Sequence, residues 1–415
     1  MNVAHWNKIV EVYVANSYMH MYIKDCLTFL LHIGFDTIVT KVKIMAFLDR
    51  VALSYVLDWI VIVVFVAIAG AFSIIEPVKR DFSLTDPSIS FPYRKDTISI
   101  PVLFVVAVAA PAFIIAGICA AIVRIPPRPG PVPSHSAIWK RKLWELHAAW
   151  LGLALSLTLS LILTQTMKNM FGKHRPDFLS RCNPDIGAIN DFLVGGFTSE
   201  SLEGTSQLVR WEICMSKNGS GVGKSEFMDG FRSFPSGHCT VAFAGLTYLS
   251  LFLAAKFSMT IPFLPSASRD RQRALNHRKE AAAPPLYLLV TVLIPIGTAI
   301  YIASTRFTDY KHAGFDVLFG SLEGLIAAWF AFRMYHLPVR RGAGWAWGPR
   351  HRGAALGIGM SVGNYGLFAH SKEGISRGLD TERAIGEQHA VGVELHDLEP
   401  VVTAGGSYES QRVLV

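Results

Sequence analysis

Six stretches of the sequence are each long and apolar enough to cross the hydrocarbon core of a bilayer, which takes about 20 residues of helix. Inside lipid the backbone must satisfy its own hydrogen bonds, so helices are the expected form of these stretches. The sequence therefore predicts an all-α, polytopic membrane protein built as a bundle of six transmembrane helices. The predicted spans cover residues 54–75, 98–123, 147–167, 239–257, 286–305 and 315–335.

The composition agrees with a membrane location. Of the 415 residues, 51% are hydrophobic and 17% are charged, whereas a soluble domain carries about 25% charged residues. The net charge of +8 suits the basic cytoplasmic loops of a membrane protein. No basic stripe lies on a soluble module that also bears aromatic residues, so we expect no nucleic-acid partner.

The distribution of basic residues predicts the orientation. Lysine and arginine are concentrated in the second loop, in the fourth loop and after the last span. With six spans these segments lie on one side of the membrane, which the positive-inside rule makes cytoplasmic. The first, third and fifth loops then face the lumen or the exterior. The basic residues are Arg124, Arg128, Lys140, Arg141 and Lys142, then Lys256, Arg269, Arg271, Arg273, Arg278 and Lys279, and finally Arg333, Arg340, Arg341, Arg350 and Arg352.

The long third loop carries two features that suit a lumenal or extracellular location. It contains Cys182 and Cys214, which could form a disulfide there or stay reduced. It also contains the sequon that begins at Asn218, a possible glycosylation site. The five cysteines of the chain show no C-x-x-C spacing, so neither a zinc ribbon nor a redox motif is supported.

The chain divides into three parts by its pattern. Residues 1–50 form an N-terminal extension without a clear cleavage site, either an interfacial helix or a poorly defined start. Residues 51–336 form the six-helix domain, with a long insert at about 177–232 in the third loop. Residues 337–415 form a tail on the cytoplasmic side, rich in glycine and without a periodic apolar run, which predicts that it is largely disordered.

Three polar clusters lie at the ends of predicted spans, all on the side assigned to the lumen. The first runs from Lys168 to Pro176 and contains Arg175. Lys168 and Arg175 are seven residues apart, about two helical turns, so they share a face if the helix persists. Two converging cations suit a tetrahedral dianion, although interfacial anchoring by snorkelling side chains is the simpler interpretation of this cluster alone.

The second cluster is Phe234-Pro235-Ser236-Gly237-His238, directly before the fourth span. A glycine beside a serine at a helix start exposes backbone N–H groups to an anion, and the Ser236 hydroxyl can add a hydrogen bond. His238 would lie at that anion site, within reach as an acid. The alternative is a helix cap with an uninvolved histidine.

The third cluster covers Thr305 to Asp316 in the fifth loop. His312 and Asp316 are four residues apart, so we expect them to share one helix face. A carboxylate on one ring nitrogen would fix the tautomer and leave the other nitrogen free to attack. Arg306 supplies a third cation. Histidine and aspartate could also hold a metal, but the other candidate ligands on this side lack ligand spacing, so we expect no metal and no cofactor.

Together the clusters resemble the signature of the type 2 phosphatidic acid phosphatase superfamily, in the pattern K-x6-R-P, P-S-G-H and [S/T]-R-x5-H-x3-D. The resemblance covers roughly residues 50–335, with Thr305 where the family usually has serine. Its scaffold looks closest to the fungal and animal lipid phosphate phosphatases. It implies six helices, with the active site at the lumenal or extracellular membrane surface.

The resemblance also implies a mechanism. His312 would attack phosphorus and form a phosphohistidine, with Asp316 orienting it. His238 would protonate the departing alkoxide and then activate water. The phosphoryl oxygens would be held by Lys168, Arg175, Arg306, Ser236 and Gly237. His312 would then be neutral and His238 charged, which predicts a bell-shaped rate profile on the acidic side of neutral.

The expected substrate is a phospholipid in the bilayer, such as phosphatidate, lysophosphatidate or diacylglycerol pyrophosphate. Sphingoid phosphates and isoprenoid pyrophosphates fit the same description. The membrane would be an endomembrane (endoplasmic reticulum, Golgi or vacuole) or the plasma membrane. Three alternatives stay open: a lipid phosphotransferase, a transporter that uses the intramembrane Asp58 and Glu323, and a catalytically inactive scaffold.

Overall fold

The protein is described here by a computed structural model that covers residues 50–121, 134–196, 207–218, 223–259, 285–339, 344–350 and 355–357. Residues 1–49, two of the basic loops and most of the predicted tail lie outside the described residues. Most of the described chain is helical. Because those segments lie outside the described residues, the N-terminal extension and the disordered tail stay predictions. The division into domains also stays a prediction.

Six long helices form the body of the molecule, and all six predicted spans are confirmed as apolar helices of spanning length. The second helix contains a π-helical segment at Val105–Ala109. The helices are α1 (Arg50–Ile74), α2 (Ile100–Ala121), α3 (His135–Phe171), α6 (Gly237–Lys256), α7 (Leu286–Thr308) and α8 (Gly314–Tyr335). The short helices α4 (Phe178–Cys182) and α5 (Lys224–Asp229) lie in the third loop.

Helix α3 is longer than the predicted span 147–167. It starts where the Ser134 hydroxyl accepts a hydrogen bond from the Ala137 N–H, so a side-chain cap replaces a missing helical partner. It ends at Gly172, whose φ of 56° places it in the left-handed region. A Cβ at Gly172 would also clash with the Val78 carbonyl, so both conformation and space favour glycine there.

Helix α6 is the central helix and packs against α3, α7 and α8. Its apolar side chains, among them Tyr248 and Phe252, are buried in the main core. Helix α8 approaches α6 closely because Gly320 and Gly324 lie at the contact. A Cβ at these positions would come within 2.7 Å of the Ser236 carbonyl oxygen and 2.5 Å of the Thr240 carbonyl oxygen. The close approach brings the first turns of α6 and α8 together.

The first and third loops form a small cap at one end of the bundle, with a core of its own. Phe82 of the first loop packs with Phe178, Phe227 and Phe231 of the third loop. An antiparallel pair of strands, β1 (Leu193–Gly196) and β2 (Gln207–Val209), belongs to this cap. Cys182 and Cys214 form a disulfide inside it, so the bridge that the sequence left open is present. Asn218 ends a short 3-10 helix, and its glycosylation stays a prediction.

The chain after α8 turns back onto the opposite end of the bundle. The Leu337 N–H donates to the Trp345 carbonyl, and the Trp347 N–H donates to the Tyr335 carbonyl. Beneath this segment, Lys256 and Glu145 form an ion pair of 2.7 Å whose side chains are 3% and 1% exposed. Residues 344–347, which the sequence assigned to a disordered tail, are therefore ordered against the helices.

Among the described residues, the start of α1 up to Val56 and the segment that begins at Gly348 belong to a second compact unit. In it, the Arg350 N–H donates to the Tyr55 hydroxyl at 3.0 Å, and the Arg350 guanidinium donates to the Ser54 carbonyl at 3.1 Å. The guanidinium also lies over the Tyr55 ring. These contacts order the region around Arg350.

Candidate active site

His312 lies in the turn between α7 and α8 and is buried, 2% exposed. Its Nδ1 is 2.7 Å from the Ser233 carbonyl oxygen. Because a carbonyl can only accept, Nδ1 carries the hydrogen, and the lone pair of the neutral ring is on Nε2. Burial and the nearby charges of Arg175 and Lys168 hold the pKa of His312 well below its usual range, so the ring is neutral near pH 7.

Asp316 does not contact the His312 ring directly, contrary to the sequence-based expectation. Its carboxylate accepts from Lys173 Nζ at 2.6 Å, from Ser233 Oγ at 2.6 Å and from the Ala313 N–H at 3.2 Å. Helix α8 begins only at Gly314, so His312 lies outside the helix and the spacing of four does not align the two side chains. Ser233 connects them instead, since its hydroxyl binds Asp316 and its carbonyl binds His312.

His238 lies in the first turn of α6. Its Nε2 is 3.1 Å from the carbonyl oxygen of Ile98, in the first loop. Here too the carbonyl acceptor requires that the ring nitrogen carries the hydrogen, so Nδ1 is the nitrogen that can gain or lose a proton. The Ser236 N–H, two residues before His238, donates to the Asp316 carbonyl at 3.2 Å, which brings the start of α6 beside the start of α8 and the turn that contains His312.

Ser236 and Gly237 start helix α6 as the sequence predicted. The Ser236 N–H donates to the Asp316 carbonyl at 3.2 Å, while the buried Ser236 Oγ has no hydrogen-bond partner in the described part of the chain. A Cβ at Gly237 would lie 3.4 Å from Lys168 Nζ, an ordinary contact distance, so the ammonium group lies against the start of α6. The first N–H groups of a helix have no partner within it and favour an anion.

Lys168 and Arg175 reach the same site, but not along one helix face. Helix α3 ends at Phe171, so the condition for a shared helix face is not met, and the turn at Gly172 brings Arg175 back. The Arg175 guanidinium pairs with Asp229 at 2.9 Å. Within the described ranges, Lys168 has no hydrogen-bond or ion-pair partner. Both charges act on the His312 ring.

Arg306 in the last turn of α7 is 1% exposed and fully engaged by the protein. Its Nη1 donates to Asp96 at 3.0 Å and its Nη2 donates to Asp309 at 2.9 Å. Its Nε and Nη2 also lie 3.3 and 3.2 Å from Thr305 Oγ1. The threonine that replaces the usual serine therefore keeps a hydroxyl role, as an acceptor for the arginine.

A second group of charges supports the site from the cap. Arg181 forms a two-point ion pair with the buried carboxylate of Asp177, which also pairs with Lys311 at 3.3 Å. Burial and the Arg181 charge lower the pKa of Lys311, against the opposing effect of Asp177. This network holds the turn that contains His312 against the third loop.

Sequence reasoning missed the contribution of the first loop. The Thr97 N–H and hydroxyl donate to the two carboxylate oxygens of Asp309 at 2.8 and 2.6 Å, Asp96 pairs with Arg306, and the Ile98 carbonyl binds His238. The only available signal was a charged and a polar residue placed just before the second span. Ser233 and Lys173 lay inside or beside the recognised motifs, but their roles depend on contacts far apart in sequence.

Comparisons with known proteins identify relatives of this chain. Residues 149–340, which hold all three motifs, match the PAP2 superfamily. The chain is 28% identical to lipid phosphate phosphatase 1 of Arabidopsis thaliana, over 71% of this chain and 72% of that protein. It is 29% identical to diacylglycerol pyrophosphate phosphatase 1 of Saccharomyces cerevisiae, over 64% and 73% of the two chains.

A third relative, the probable diacylglycerol pyrophosphate phosphatase 1 of Schizosaccharomyces pombe, is 28% identical over 63% of this chain and 74% of its own. No solved structure matches the chain. The matched region begins within α3 and ends just after α8, so it includes every predicted site residue. Residues 149–340 therefore form a PAP2 superfamily domain.

Proposed function

We propose that the protein is a membrane phosphatase that hydrolyses phosphate esters of lipids through a phosphohistidine on His312. The observation that carries the proposal is the state of this ring. Its Nδ1 is committed to the Ser233 carbonyl and its lowered pKa keeps it neutral, so Nε2 offers a lone pair. A neutral, oriented imidazole close to several cations is what nucleophilic attack on a phosphate monoester requires.

In the first step, Nε2 of His312 attacks phosphorus as the bond from phosphorus to the lipid oxygen breaks. His238 gives the proton on its Nδ1 to the departing alkoxide, which leaves as an alcohol. In the second step, His238 takes a proton from water as the water oxygen attacks the phosphohistidine. Inorganic phosphate leaves and both rings return to their starting states.

Asp316 acts on His312 through Ser233 in this proposal. The carboxylate fixes the Ser233 hydroxyl and the first turn of α8, and Ser233 in turn fixes the ring. When the ring becomes a positively charged phosphohistidine, the buried Asp316 carboxylate on the far side of Ser233 stabilises that charge. Asp316 is thus assigned a positioning and electrostatic role.

The phosphoryl oxygens are assigned to Lys168, Arg175 and Arg306, helped by the Ser236 hydroxyl and the first N–H groups of α6. Fixed donors of this kind are commonly worth about 2.7–4 kcal/mol of transition-state stabilisation each. Three cations can supply the charge that Mg²⁺ supplies in kinases, which supports a reaction without a metal cofactor.

The substrate is assigned to membrane lipids because the site lies at the ends of six apolar helices. A lipid can keep its acyl chains in the bilayer while its phosphate reaches this level. Relatives of this chain carry names that refer to lipid phosphates and diacylglycerol pyrophosphate. Phosphatidate, lysophosphatidate and diacylglycerol pyrophosphate are the first substrates to test. The positive-inside pattern assigns the site to the lumen of an endomembrane or to the cell exterior.

The test compares the wild type with His312→Ala in detergent, with phosphatidate in mixed micelles and EDTA present. We expect phosphate release by the wild type and a loss of at least about 1000-fold in the variant. His135→Ala is the matched control, because it removes an exposed imidazole at the other end of α3. In His238→Ala, a phosphorylated His312 should accumulate and be detectable by mass spectrometry.

Two outcomes would contradict the proposal. Equal release by the wild type and His312→Ala would remove the nucleophile. No release from any of the three lipids, with phosphoryl transfer to an added alcohol instead, would assign the protein to the phosphotransferases.

A further inference from the structure

Residues 91–98 of the first loop, called the strap here, run across all three motifs. The Phe91 N–H donates to the Pro176 carbonyl at 3.0 Å, in the first motif. The Ile98 carbonyl binds His238 in the second motif, and Thr97 binds Asp309 in the third. The Phe91 ring stacks on Tyr310 at 4.7 Å. The strap is thus part of the site.

The partners of Arg306 differ in how firmly they are held. Asp309 is 8% exposed and is fixed by both Thr97 bonds. Thr305 is buried, and its hydroxyl donates to the Ile302 carbonyl at 2.7 Å. Asp96 is 41% exposed and contacts the guanidinium through one oxygen at 3.0 Å. Of these partners, Asp96 is the one that can leave Arg306 without burying an unpaired charge.

We propose that Asp96 is an exchangeable counter-ion of Arg306, which a phosphoryl group must displace, and that it thereby sets the affinity of the site for phosphate. The proposal rests on the proposed function, in which Arg306 binds phosphoryl oxygens. It gives Asp96 a role in limiting how tightly substrate and product phosphate are held.

The physical reason is competition between like charges. A phosphoryl dianion that approaches Nη1 of Arg306 meets the Asp96 carboxylate, and two anions that close repel each other. The other two cations differ from Arg306 and from each other. Arg175 is held by both the carboxylate and the carbonyl of Asp229, and Lys168 has no ion-pair partner in the residues that the structure describes. Without Asp96 the site would hold phosphate more tightly, and the release of product would slow.

The experiment measures binding of inorganic phosphate by calorimetry to the full chain in phosphatidylcholine nanodiscs. We expect Asp96→Asn to bind phosphate about tenfold more tightly than the wild type. Asp309→Asn should bind it more weakly, because it loosens the buried anchor of the guanidinium. Asp81→Asn is the matched control, an exposed carboxylate of the same loop, and should bind as the wild type does.

Kinetics supply the second measurement. With phosphatidate as substrate, Asp96→Asn should lower KM and lower the inhibition constant of phosphate about tenfold, and kcat should fall if product release limits turnover. If Asp96 had only a structural role, its substitution would disorder Arg306 and raise both KM and the inhibition constant of phosphate. Phosphate binding by Asp96→Asn that is equal to or weaker than that of the wild type would overturn the proposal.

The two proposals fail in distinguishable ways. If Asp96→Asn binds phosphate more tightly than the wild type but His312→Ala hydrolyses as well as the wild type, the histidine mechanism is wrong. The counter-ion role of Asp96 is then retained. If neither the wild type nor Asp96→Asn binds phosphate while His312 is essential for hydrolysis, the mechanism stands and the counter-ion role is wrong.

Discussion

The two ends of the helix bundle both bury a basic side chain against an acidic one, but they do so differently. At the motif end, Arg306 pairs with Asp96, whose side chain is 41% exposed. At the opposite end, Lys256 pairs with Glu145, and the two side chains are 3% and 1% exposed. The first pair can open toward solvent, whereas the second has its charges compensated inside the protein.

The residues around the two ion pairs differ in the same way. The carboxylate of Glu145 also accepts from the Ala346 N–H, and Lys256 donates to the Gly344 carbonyl, so the chain after α8 completes the pair. The ammonium of Lys256 lies 4.8 Å from the centre of the Trp345 ring. At the motif end, Lys168 has no comparable partner among the described residues. The comparison suggests that one end is built for stability and the other for binding an anion.

The largest expected effect is at the opposite end. Lys256→Met keeps the length of the side chain but leaves Glu145 buried without its counter-ion. Breaking a buried pair in this way costs about 3–5 kcal/mol of stability. We expect a large fall in the unfolding free energy, measured by tryptophan fluorescence in detergent, with unchanged activity per folded molecule. A variant of wild-type stability would show that the pair is not structural.

The second effect tests the motif end. Arg306→Lys keeps the charge but loses the planar fork that binds two partners at once. We expect hydrolysis to fall by about 100- to 1000-fold, in the range of a lost oxyanion donor, while the unfolding free energy changes by about 1 kcal/mol. If stability fell as far as in Lys256→Met and activity did not, the contrast between the two ends would be wrong.

The third prediction concerns the pH dependence of stability caused by His336, which follows α8 at the opposite end. Its ring stacks on Phe332 at 4.7 Å, and neither ring nitrogen has a hydrogen-bond partner among the residues described. Burial, together with the charge of Lys256, lowers its pKa to about 3. Between pH 6.5 and about 3 the unfolded chain therefore binds a proton that the folded protein does not, so the contribution of His336 to stability falls as the pH falls.

His336→Phe should remove that dependence. The unfolding free energy of the variant minus that of the wild type should be higher at pH 5 than at pH 7 by about 2 kcal/mol. The reason is that unfolding of the variant no longer takes up this proton. Thermal unfolding at the two pH values measures the difference. His135→Phe serves as control, since its ring is exposed. The same pH dependence in His336→Phe and the wild type would show that His336 is not the group responsible.

Much of the architecture could be predicted from the sequence. The six helices appear where long apolar runs occur, because a backbone in lipid has few alternatives to the helix. The grouping of the motifs is also confirmed, since the first, third and fifth loops meet at one end, whereas the side of the membrane stays a prediction. The boundaries were less accurate: α3 extends from His135 to Phe171, well beyond the predicted span 147–167, because polar residues at its ends continue the helix.

The site was only partly predictable. The sequence singled out both histidines and the three cations through motif spacing, and their roles stay predictions. It wrongly expected a direct contact between Asp316 and His312, and the helix face that Lys168 and Arg175 would share on a continued helix does not form. Both outcomes have one cause: spacing rules hold only while the helix continues, and a turn at Gly172 and another before Gly314 interrupt it.

By itself the sequence determined the membrane class, the number of spans and the residue types gathered at the motif end, because each follows from hydrophobic length or from local spacing. Only the tertiary structure decided which groups hold them in place. The partners of the two histidines are the carbonyl oxygens of Ser233 and Ile98. Every residue has a backbone carbonyl, so no pattern of side chains predicts which carbonyl will accept a hydrogen bond from a histidine. Asp96 and Arg306 are likewise 210 residues apart, and folding alone brings them together.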